Sequence, residues 1–508
     1  MKAQTATPLP AVAVGQEFVQ GLGLTSATTL VMGSMIGSGV FIVAADIARQ
    51  VDSPAMLIGA WLVTGFLTIV AALSYGELAA MMPQAGGQYV YLREALGPLW
   101  GWLYGWTLFM VIQTGTIAAV GVAFGKFLGV FFPSVSATNW IWHIAHVPPI
   151  HLGPMVLGNT DVGLNTANLA GIITIILLSV INIFGVKTGA MVQNVFTFAK
   201  AAALLGLVLL GLAIGRNATA LAANFHGNFW HIGPHHADIY LHGLALVATL
   251  LAVAQVGSLF SSDAWNNVTF TAGEVRNPSR NLPLSLALGT GIVIALYVAA
   301  NFVYLLVLPM RGDPNGATIL ARGIQYAAED RVGTAALNVM FGQAGAYIMA
   351  AAILVSTFGC NNGLILSGAR VYYAMAKDGL FFKSAAQLHP RYKTPVVSLA
   401  MQAAWTCLLC LSGTYGQLLD YIIFAVLVFY ILTIVGLFVL RHRQPDAPRP
   451  YRAIGYPVLP AIYVLMAAFI DVVLLRYKPQ YTWPGLGIVL LGIPVYFVWQ
   501  GKTVASRR

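Results

Sequence analysis

The first strongly apolar stretch of this chain, residues 24–48, is interrupted near its middle by the sequence GSMIGSGVF at positions 33–41. Glycines and serines at this density are unfavourable in the interior of a continuous helix. A helix that breaks inside a bilayer exposes peptide N–H and C=O groups, which persist only where protein or a polar cavity satisfies them. The interruption therefore predicts a binding site within a membrane-spanning segment.

The composition is that of a polytopic membrane protein. The 508 residues are 58% hydrophobic and only 8% charged, whereas about 25% of the residues of a soluble domain are charged. Apolar runs of roughly 20 residues, the length that crosses a bilayer, recur along the chain. They predict an all-α integral membrane fold with twelve transmembrane helices, at 24–48, 54–80, 97–131, 167–186, 189–215, 241–272, 283–309, 341–376, 394–413, 417–440, 456–475 and 483–500. The connections are too short for a soluble domain, so residues 1–508 form one transmembrane domain.

The distribution of charge predicts the topology. If the polar leader, residues 1–23, is cytoplasmic, most of the 26 Lys and Arg residues fall on the cytoplasmic side, as the positive-inside rule requires. This asymmetry accounts for the net charge of +10 without a nucleic-acid partner, and it places both termini in the cytoplasm. The first apolar run lacks a small-residue cleavage site at its end, so we expect no removable signal peptide. The amphipathic connection 83–95 predicts a short helix at the cytoplasmic interface.

A second irregular apolar segment occurs five spans after the first and reads GSLFSSDAWNN at positions 257–267. A carboxylate and two asparagines in the middle of a span are costly unless they face a cavity or a partner. Interrupted helices at corresponding positions of two halves are typical of transporters built from inverted repeats. We therefore assign helices 1–5 (24–215) to a first repeat, helices 6–10 (241–440) to a second, and helices 11 and 12 to 456–500.

These two segments, together with EVRNPSRNLP at 274–283, resemble the amino acid–polyamine–organocation superfamily. The chain is most similar to the L-type amino acid transporter branch, and the sequences at 83–93 and 370–382 extend the resemblance over nearly its whole length. The resemblance implies twelve helices in a five-plus-five inverted repeat, with helices 1 and 6 discontinuous. It also implies transport of amino acids, often by exchange and without sodium.

The three cysteines, Cys360, Cys407 and Cys410, all fall within apolar runs. No residue is left for an extracytoplasmic disulfide, so we expect no disulfide-linked accessory subunit. Because animal relatives use an external cysteine for such a subunit, its absence favours a bacterial inner membrane.

The predicted substrate-binding residues lie in the two interruptions: Ser34, Met35, Ile36, Gly37, Ser38, Gly39, Phe260, Asp263, Ala264 and Trp265. By resemblance, the amides around Ser38 hold the substrate carboxylate, which the N-terminus of a half-helix favours. The carbonyl groups of Met35, Ile36 and Phe260 hold the ammonium group, with the carbonyl of Asp263 as a further candidate.

Each of these positions also has a structural explanation. Gly33 and Gly37 form a small-xxx-small pattern that permits close helix packing. Phe260 and Trp265 are equally explained as core aromatics, although the resemblance favours Phe260 as a gate over the substrate. The polar side chains at 261–263 can cap the helix that restarts after the interruption.

Two residues bear on the choice of substrate. A charged Asp263 favours a cationic substrate end. Ala264 stands where the family usually has glycine, and its methyl group narrows the pocket in favour of small or medium neutral amino acids. An ill-fitting methylene costs only about 1–3 kcal/mol, so this residue biases selectivity rather than imposing it.

Lys200 lies about eleven residues from either end of the span 189–215, which is deep for a charged side chain. It could bend towards an interface. By resemblance, its ammonium instead occupies the region that holds sodium in sodium-coupled relatives and bonds the broken first helix and helix 8. The lysine therefore argues against a sodium site, although burial leaves proton coupling open.

Other polar residues are candidates for more ordinary roles. Asn361 and Asn362 either line the permeation path or, as we favour, form interhelical hydrogen bonds. Histidines cluster in two connections, at 143–151 and 226–242, but without an ordered ligand spacing, so we predict no metal site.

The sequence favours a secondary transporter of small to medium neutral L-amino acids that works by alternating access, through sodium-independent exchange or facilitated uptake and without a cofactor. The alternative within this class is a proton-coupled permease for cationic amino acids or polyamines. An enzyme would need convergent catalytic groups, whereas the ionisable residues deep in the predicted spans are essentially Lys200 and Asp263. A P-loop is also absent from the sequence, and neither terminus is long enough for a signalling domain.

Overall fold

The computed structural model describes residues 18–152, 155–157, 160–233, 241–411 and 415–505. Most of the predicted leader lies outside these residues, as do His235 and His236. The helices, in chain order, are α1 (Leu24–Met35), α2 (Gly39–Val51), α3 (Pro54–Met81), α4 (Gln88–Leu96), α5 (Pro98–Thr107), α6 (Gln113–Leu128), α7 (Thr166–Ile183), α8 (Val186–Ile214), α9 (Ala218–Phe225), α10 (Gly243–Ser261), α11 (Asn267–Phe270), α12 (Pro278–Val307), α13 (Ile319–Arg322), α14 (Val332–Lys377), α15 (Val396–Cys410), α16 (Tyr415–Arg443), α17 (Val458–Tyr477) and α18 (Pro479–Ala505).

Most of these helices are long and apolar enough to cross a membrane. In the described part of the chain ten meet that test, counting α5 and α6 as one helix through the π-helical turn Leu108–Ile112, and the bent pair of α1 and α2 makes eleven. The helix α15 is apolar but has only 15 residues. The prediction of a helical, multi-pass membrane fold is therefore confirmed at this level.

Several helices begin where the sequence supplies a suitable residue. Proline occupies a first-turn position of α3, α5 and α12, where its missing N–H would have no helical partner. The side chain of Asn165 caps α7 by accepting a hydrogen bond from the Asn168 amide at 2.8 Å.

The longest helix, α14, differs from the prediction of a span at 341–376. Its backbone departs from helical geometry at Gly342, where φ is 62° and ψ is −153°. Glycine adopts such a conformation at little steric cost. A separate helical arm, residues 332–341, therefore precedes the spanning part of α14.

The connection between α6 and α7 contains strands that the sequence reasoning missed: β1 (Trp140–Val147), β2 (Ile150–Leu152), β3 (Met155–Leu157) and β4 (Thr160–Asn165). β1 pairs antiparallel with β4, and β2 with β3. The aromatic and branched residues of β1 favour strand formation, yet nearly all its residues are exposed. Its apolar side chains therefore do not alternate between a buried and an exposed face, and the sequence carries no such pattern from which a strand could have been predicted.

The predicted interfacial helix forms as α4, but its burial corrects the prediction. Tyr89, Tyr91 and Leu92 are each no more than 1% exposed. The helix packs against α5 and α16 instead of resting on the surface. Its apolar face therefore meets protein.

The broken helices lie inside the bundle. α1 packs against α8, α12 and α14, whereas α2 packs against α10 and α14. Nearly every residue from Ala27 to Ala45 is buried. Such complete burial is what an interrupted backbone requires at membrane depth.

Candidate functional site

The first interruption separates α1 from α2 by three residues and bends the axis by 40°. Ile36 has extended backbone angles, and α2 restarts at Gly39. The last carbonyl groups of a helix lack intrahelical partners. At the end of α1 these groups are therefore available to side chains from neighbouring helices.

Five consecutive carbonyl groups, at 33–37, accept such hydrogen bonds. Cys360 donates to the Ser34 carbonyl at 3.1 Å, and Tyr297 to the Met35 carbonyl at 3.0 Å. The Ser356 hydroxyl lies 3.1 Å from the Ile36 oxygen and 2.9 Å from the Gly37 oxygen. The backbone that a membrane would leave unsatisfied is thus bonded by α12 and α14.

Lys200 completes this arrangement from α8. Its Nζ atom lies 2.5 Å from the carbonyl oxygen of Gly33, 2.7 Å from that of Ile36 and 3.4 Å from that of Ser356. The residue is 1% exposed, so its side chain does not reach an interface. Three N–H donors meet three carbonyl acceptors, which offsets the cost of burying the ammonium.

The second interruption lies between the end of α10 and the start of α11. Ala264 has a φ of 63°, a left-handed conformation that an L-residue with a side chain rarely adopts. The Asp263 side chain accepts a hydrogen bond from the Tyr430 hydroxyl at 2.5 Å. Trp265 is 2% exposed and packs edge-on against Tyr75 at 4.8 Å between ring centroids.

The two interruptions are in direct contact. The Tyr297 hydroxyl lies 3.0 Å from the Met35 oxygen and 3.1 Å from the Ser261 oxygen, so it joins the ends of α1 and α10. A Cβ atom built on Gly39 would lie 2.2 Å from Oγ of Ser261, so only glycine fits there. The structure thus brings together the two segments that the sequence singled out.

Close packing also explains Gly33, where a Cβ atom would lie 1.8 Å from Nε2 of Gln193. Gly37 has more room, with Sγ of Cys360 at 3.3 Å. The small-residue explanation considered for this segment therefore applies to Gly33 and much less to Gly37.

Two small cavities of about 10 Å³ each flank Asp263. The first is lined by Gln88, Gln113, Ala264 and Asn266, among others, and the second by residues that include Thr68, Ser262, Trp265 and Tyr463. Each has room for about one water molecule. Asp263, Ala264 and Trp265 line these cavities, whereas Phe260 and the predicted residues 34–39 line neither.

Polar contacts join the interrupted helices to neighbouring segments on both faces of the bundle. On the face where the described chain begins, which we call the N-terminal face, the Leu22 amide donates to the Glu274 carbonyl at 3.0 Å. The buried Glu274 side chain pairs with Arg370 at 3.0 Å. These contacts tie the segment before α1 to the end of the second interrupted helix.

On the opposite or distal face, where α2 ends, Asp52 is buried and pairs with Arg311 at 2.9 Å. Arg49 pairs with Asp330 at 2.8 Å and donates to the Gln325 carbonyl at 2.6 Å. These contacts tie the end of α2 to the segments that contain Arg311 and residues 325–330.

Other predicted polar residues have structural partners. The Asn362 amide donates to the Gly189 carbonyl and to Gln193, both at 3.0 Å, so it forms interhelical hydrogen bonds as favoured above. His143 and His146 both contact Asp161, at 3.1 and 3.0 Å, and these hydrogen bonds lower the pKa of that carboxyl. Within the described ranges no cluster of three His, Cys, Asp or Glu residues has the arrangement of a metal site.

Sequence reasoning missed several residues that shape the site. Tyr297, Tyr430 and Tyr75 come from three different helices, and Gln88 donates from α4 to Thr433. Each is a polar group in an otherwise apolar span or connection, but more than a dozen such residues occur along the chain. Only the fold distinguishes those that face the interruptions.

The structure is a bundle of apolar helices in which buried polar groups hold the central, interrupted helices. These features define a multi-pass membrane protein of the transporter class. The chain belongs to the amino acid permease family, whose sequence model matches residues 22–495. This finding confirms the resemblance to the amino acid–polyamine–organocation superfamily.

Similar characterised proteins come from bacteria and animals. The serine/threonine exchanger SteT of Bacillus subtilis is 30% identical over 478 residues, covering 94% of this chain and 96% of SteT. The human large neutral amino acids transporter small subunit 2 is 29% identical, covering 95% of this chain and 81% of its own length. The human b(0,+)-type amino acid transporter 1 is 27% identical, with coverages of 94% and 87%. The family and these relatives are transporters and not enzymes, as the sequence predicted.

Proposed function

We propose that this protein is a secondary transporter of L-amino acids that works by alternating access. In this proposal the bundle has twelve transmembrane helices, with α1 and α2 as a discontinuous helix 1 and α10 and α11 as a discontinuous helix 6. The contact between the two interruptions through Tyr297 and Gly39 is the observation that carries the proposal. Discontinuous helices that meet at mid-membrane are the usual binding site of inverted-repeat transporters.

The two repeats are residues 24–215 and 241–440, and both termini are cytoplasmic in a bacterial inner membrane. The basic residues of the N-terminal face, among them Arg276, Arg370, Arg441 and Arg449, support this orientation. The distal face is then extracytoplasmic. All three cysteines are free, and Cys360 and Cys410 are buried. The burial of these two cysteines supports a transporter without a disulfide-linked subunit.

The substrate is a small or medium neutral amino acid. Its carboxylate binds the amides around Ser38, at the N-terminal end of α2, where the helix dipole favours an anion. Its ammonium binds carbonyl groups at the ends of α1 and α10, among them those of Met35, Ile36 and Phe260. The restricted space beside Ala264 supports a small side chain, and the names of the relatives include a serine/threonine exchanger and a large neutral amino acid transporter.

Transport is independent of sodium. The Lys200 ammonium already bonds the Gly33 and Ile36 carbonyl groups, which are the hard oxygen ligands that a cation at this position would need. A fixed positive charge at the helix end supports exchange or facilitated uptake in place of sodium-driven accumulation.

One observation favours a second candidate, a proton-coupled permease for cationic amino acids or polyamines. Asp263 lines both small cavities at the interruption of helix 6. A carboxylate at this place would pair with a cationic substrate or carry a proton. The Tyr430 hydroxyl already bonds this side chain at 2.5 Å, so a ligand would have to compete with it.

Counterflow in proteoliposomes separates the two candidates. Vesicles loaded with an unlabelled neutral amino acid should take up labelled serine or threonine at constant pH and without sodium. Vesicles loaded with buffer alone provide the control. If flux required a proton gradient together with arginine or putrescine, the neutral exchanger would be wrong and the second candidate correct.

A further inference from the structure

The hairpin between α6 and α7 carries an exposed apolar surface. Trp142 is 67% exposed, Ile141 53% and Ile144 51%, and all three belong to β1. Large apolar side chains gathered on one exposed segment are typical of a surface that contacts a protein, a ligand or a membrane. The hairpin lies outside the two interruptions, so the proposed function does not account for this surface.

The two paired strands β1 and β4, which we call the ribbon, have one apolar and one polar side. Trp142 pairs with Leu164. Asp161 lies three residues from Leu164 along β4, and successive residues of a strand face opposite sides, so the Asp161 carboxylate lies on the other side. There it contacts both His143 and His146. We call the side of Trp142 and Leu164 the apolar side and the side of Asp161 the polar side.

Both ends of the hairpin rest on helices that are long and apolar enough to cross a membrane. At its base, β4 ends at Asn165 and α7 begins at Thr166. The Gly163 amide also donates to the Leu411 carbonyl, just beyond α15, at 3.1 Å. At the other end of the hairpin, β3 lies against α18. The ribbon therefore runs along the distal face between two helices, and its two sides face towards and away from the membrane.

The length of α7 sets the depth of Trp142. The 18 residues of this helix span about 27 Å at 1.5 Å per residue, which is nearly the hydrocarbon thickness of about 30 Å. Thr166 therefore lies near the boundary of the hydrocarbon core. Trp142 pairs with Leu164, two residues before Thr166, which is about 7 Å along the ribbon. The interfacial layer on each side of a bilayer has a similar thickness, about 5–7 Å.

We propose that the apolar side of the ribbon lies in the interfacial layer of the distal leaflet and anchors the hairpin to the lipid. Tryptophan is enriched at this depth, because its ring is apolar while its N–H can remain bonded to water or headgroups. Below the ribbon, α7 exposes Ile173, Ile176 and Leu177, so its outward surface meets lipid directly beneath the hairpin. The polar side, with Asp161 and its two histidines, faces water.

Nitroxide labels on the two sides test the proposal in the full-length protein in phosphatidylcholine nanodiscs. Trp142→Cys places the label on the apolar side, and His146→Cys is the matched control on the polar side of the same strand. Both are made in a Cys407→Ser background, because the other two cysteines are buried. Collision rates are measured with oxygen, which concentrates in lipid, and with a water-soluble nickel chelate.

The ratio of oxygen to nickel collisions should be severalfold higher at position 142 than at position 146. Equal ratios would place both sides of the ribbon in water and overturn the proposal. Low collision rates with both reagents at position 142 would show that protein, such as a second copy of the chain, covers the apolar side, and would overturn it as well.

A conservative variant provides a second test that does not introduce a cysteine. Trp142→Phe keeps an aromatic ring, and the difference in fluorescence between wild-type protein and this variant isolates the emission of Trp142. In nanodiscs of phosphatidylcholine brominated in the upper part of its acyl chains, this difference should fall by at least half relative to unbrominated lipid. An undiminished difference would contradict the proposed depth and overturn the proposal. Neither measurement requires transport, so the result is independent of the proposed function.

Discussion

Replacement of Lys200 by methionine tests how the end of α1 is held. Methionine is an unbranched apolar side chain one atom shorter than lysine, and it donates no hydrogen bond. The Gly33 carbonyl loses the Lys200 ammonium, whereas the Ile36 carbonyl still has the Ser356 hydroxyl at 3.1 Å, whose single proton it shares with the Gly37 carbonyl. The substitution therefore leaves at least one buried carbonyl group without its side-chain donor.

A buried acceptor without a partner costs about 1–3 kcal/mol. In K200M this free-energy cost destabilises every conformation in which α1 ends at the interruption with its carbonyl groups placed as in this structure. Since about 1.4 kcal/mol corresponds to a factor of ten in a population, that conformation becomes roughly 5- to 150-fold less populated. We expect kcat/KM for amino acid uptake to fall by a similar factor.

Global stability should change much less than transport. The same substitution removes a buried positive charge, whose desolvation is itself costly. The two effects oppose each other, so the unfolding temperature of K200M should stay close to that of wild-type protein. A large loss of transport with little loss of stability would distinguish a role in the mechanism from a role in folding.

The assay is initial-rate uptake into proteoliposomes, normalised to reconstituted protein, alongside thermal unfolding. K187M is the matched control, because Lys187 is exposed on the same helix, and it should transport as wild type does. If K200M retained uptake within twofold of wild type, the ammonium would have no part in positioning α1, and the argument for sodium independence would lose its basis.

Three further substitutions test other parts of the site. Ala264→Gly removes a methyl group beside Asp263 and a left-handed alanine, so uptake of larger neutral amino acids should rise relative to smaller ones by up to about tenfold in competition assays; an unchanged preference would contradict the steric role of Ala264. Tyr430→Phe leaves the Asp263 carboxyl without its hydroxyl donor and should destabilise the protein by about 1–3 kcal/mol in thermal or chemical unfolding, whereas an unaltered midpoint would mean that this hydrogen bond contributes nothing. Glu274→Gln leaves the buried charge of Arg370 uncompensated and should cost about 3–5 kcal/mol, and the double variant with Arg370→Met should recover much of it; failure of the double variant to recover would exclude the ion pair as the cause.

The fold was largely predictable because membrane spans depend on a simple constraint. Each span must hide its backbone in about 20 apolar residues, and this requirement can be recognised without knowing any tertiary contact. The predicted span 54–80, for example, corresponds to α3 at Pro54–Met81. Burial of α4 and the helical arm before Gly342 escaped prediction, because both depend on packing between distant parts of the chain.

The positions of the two interruptions were predictable from the sequence, and their contacts were less so. Several glycines close together within a span indicate an interruption, because the backbone freedom of glycine destabilises the interior of a continuous helix. The partners of that interruption, such as Tyr297 and Tyr430, come from other helices and carry no local signal. Lys200 is an exception, because a charge eleven residues from either end of a span is conspicuous in the sequence itself.

The carbonyl groups at the end of α1 already accept hydrogen bonds from side chains, and this affects the free energy of substrate binding. The Tyr297 hydroxyl has one proton and two acceptors within 3.1 Å, the carbonyl groups of Met35 and Ser261, so it can fully satisfy only one of them at a time. If a substrate ammonium takes one carbonyl, the hydroxyl can donate to the other without leaving its place. The free energy of binding then need not include the loss of a buried hydrogen bond, because the ligand satisfies an acceptor that the Tyr297 hydroxyl satisfies only in part.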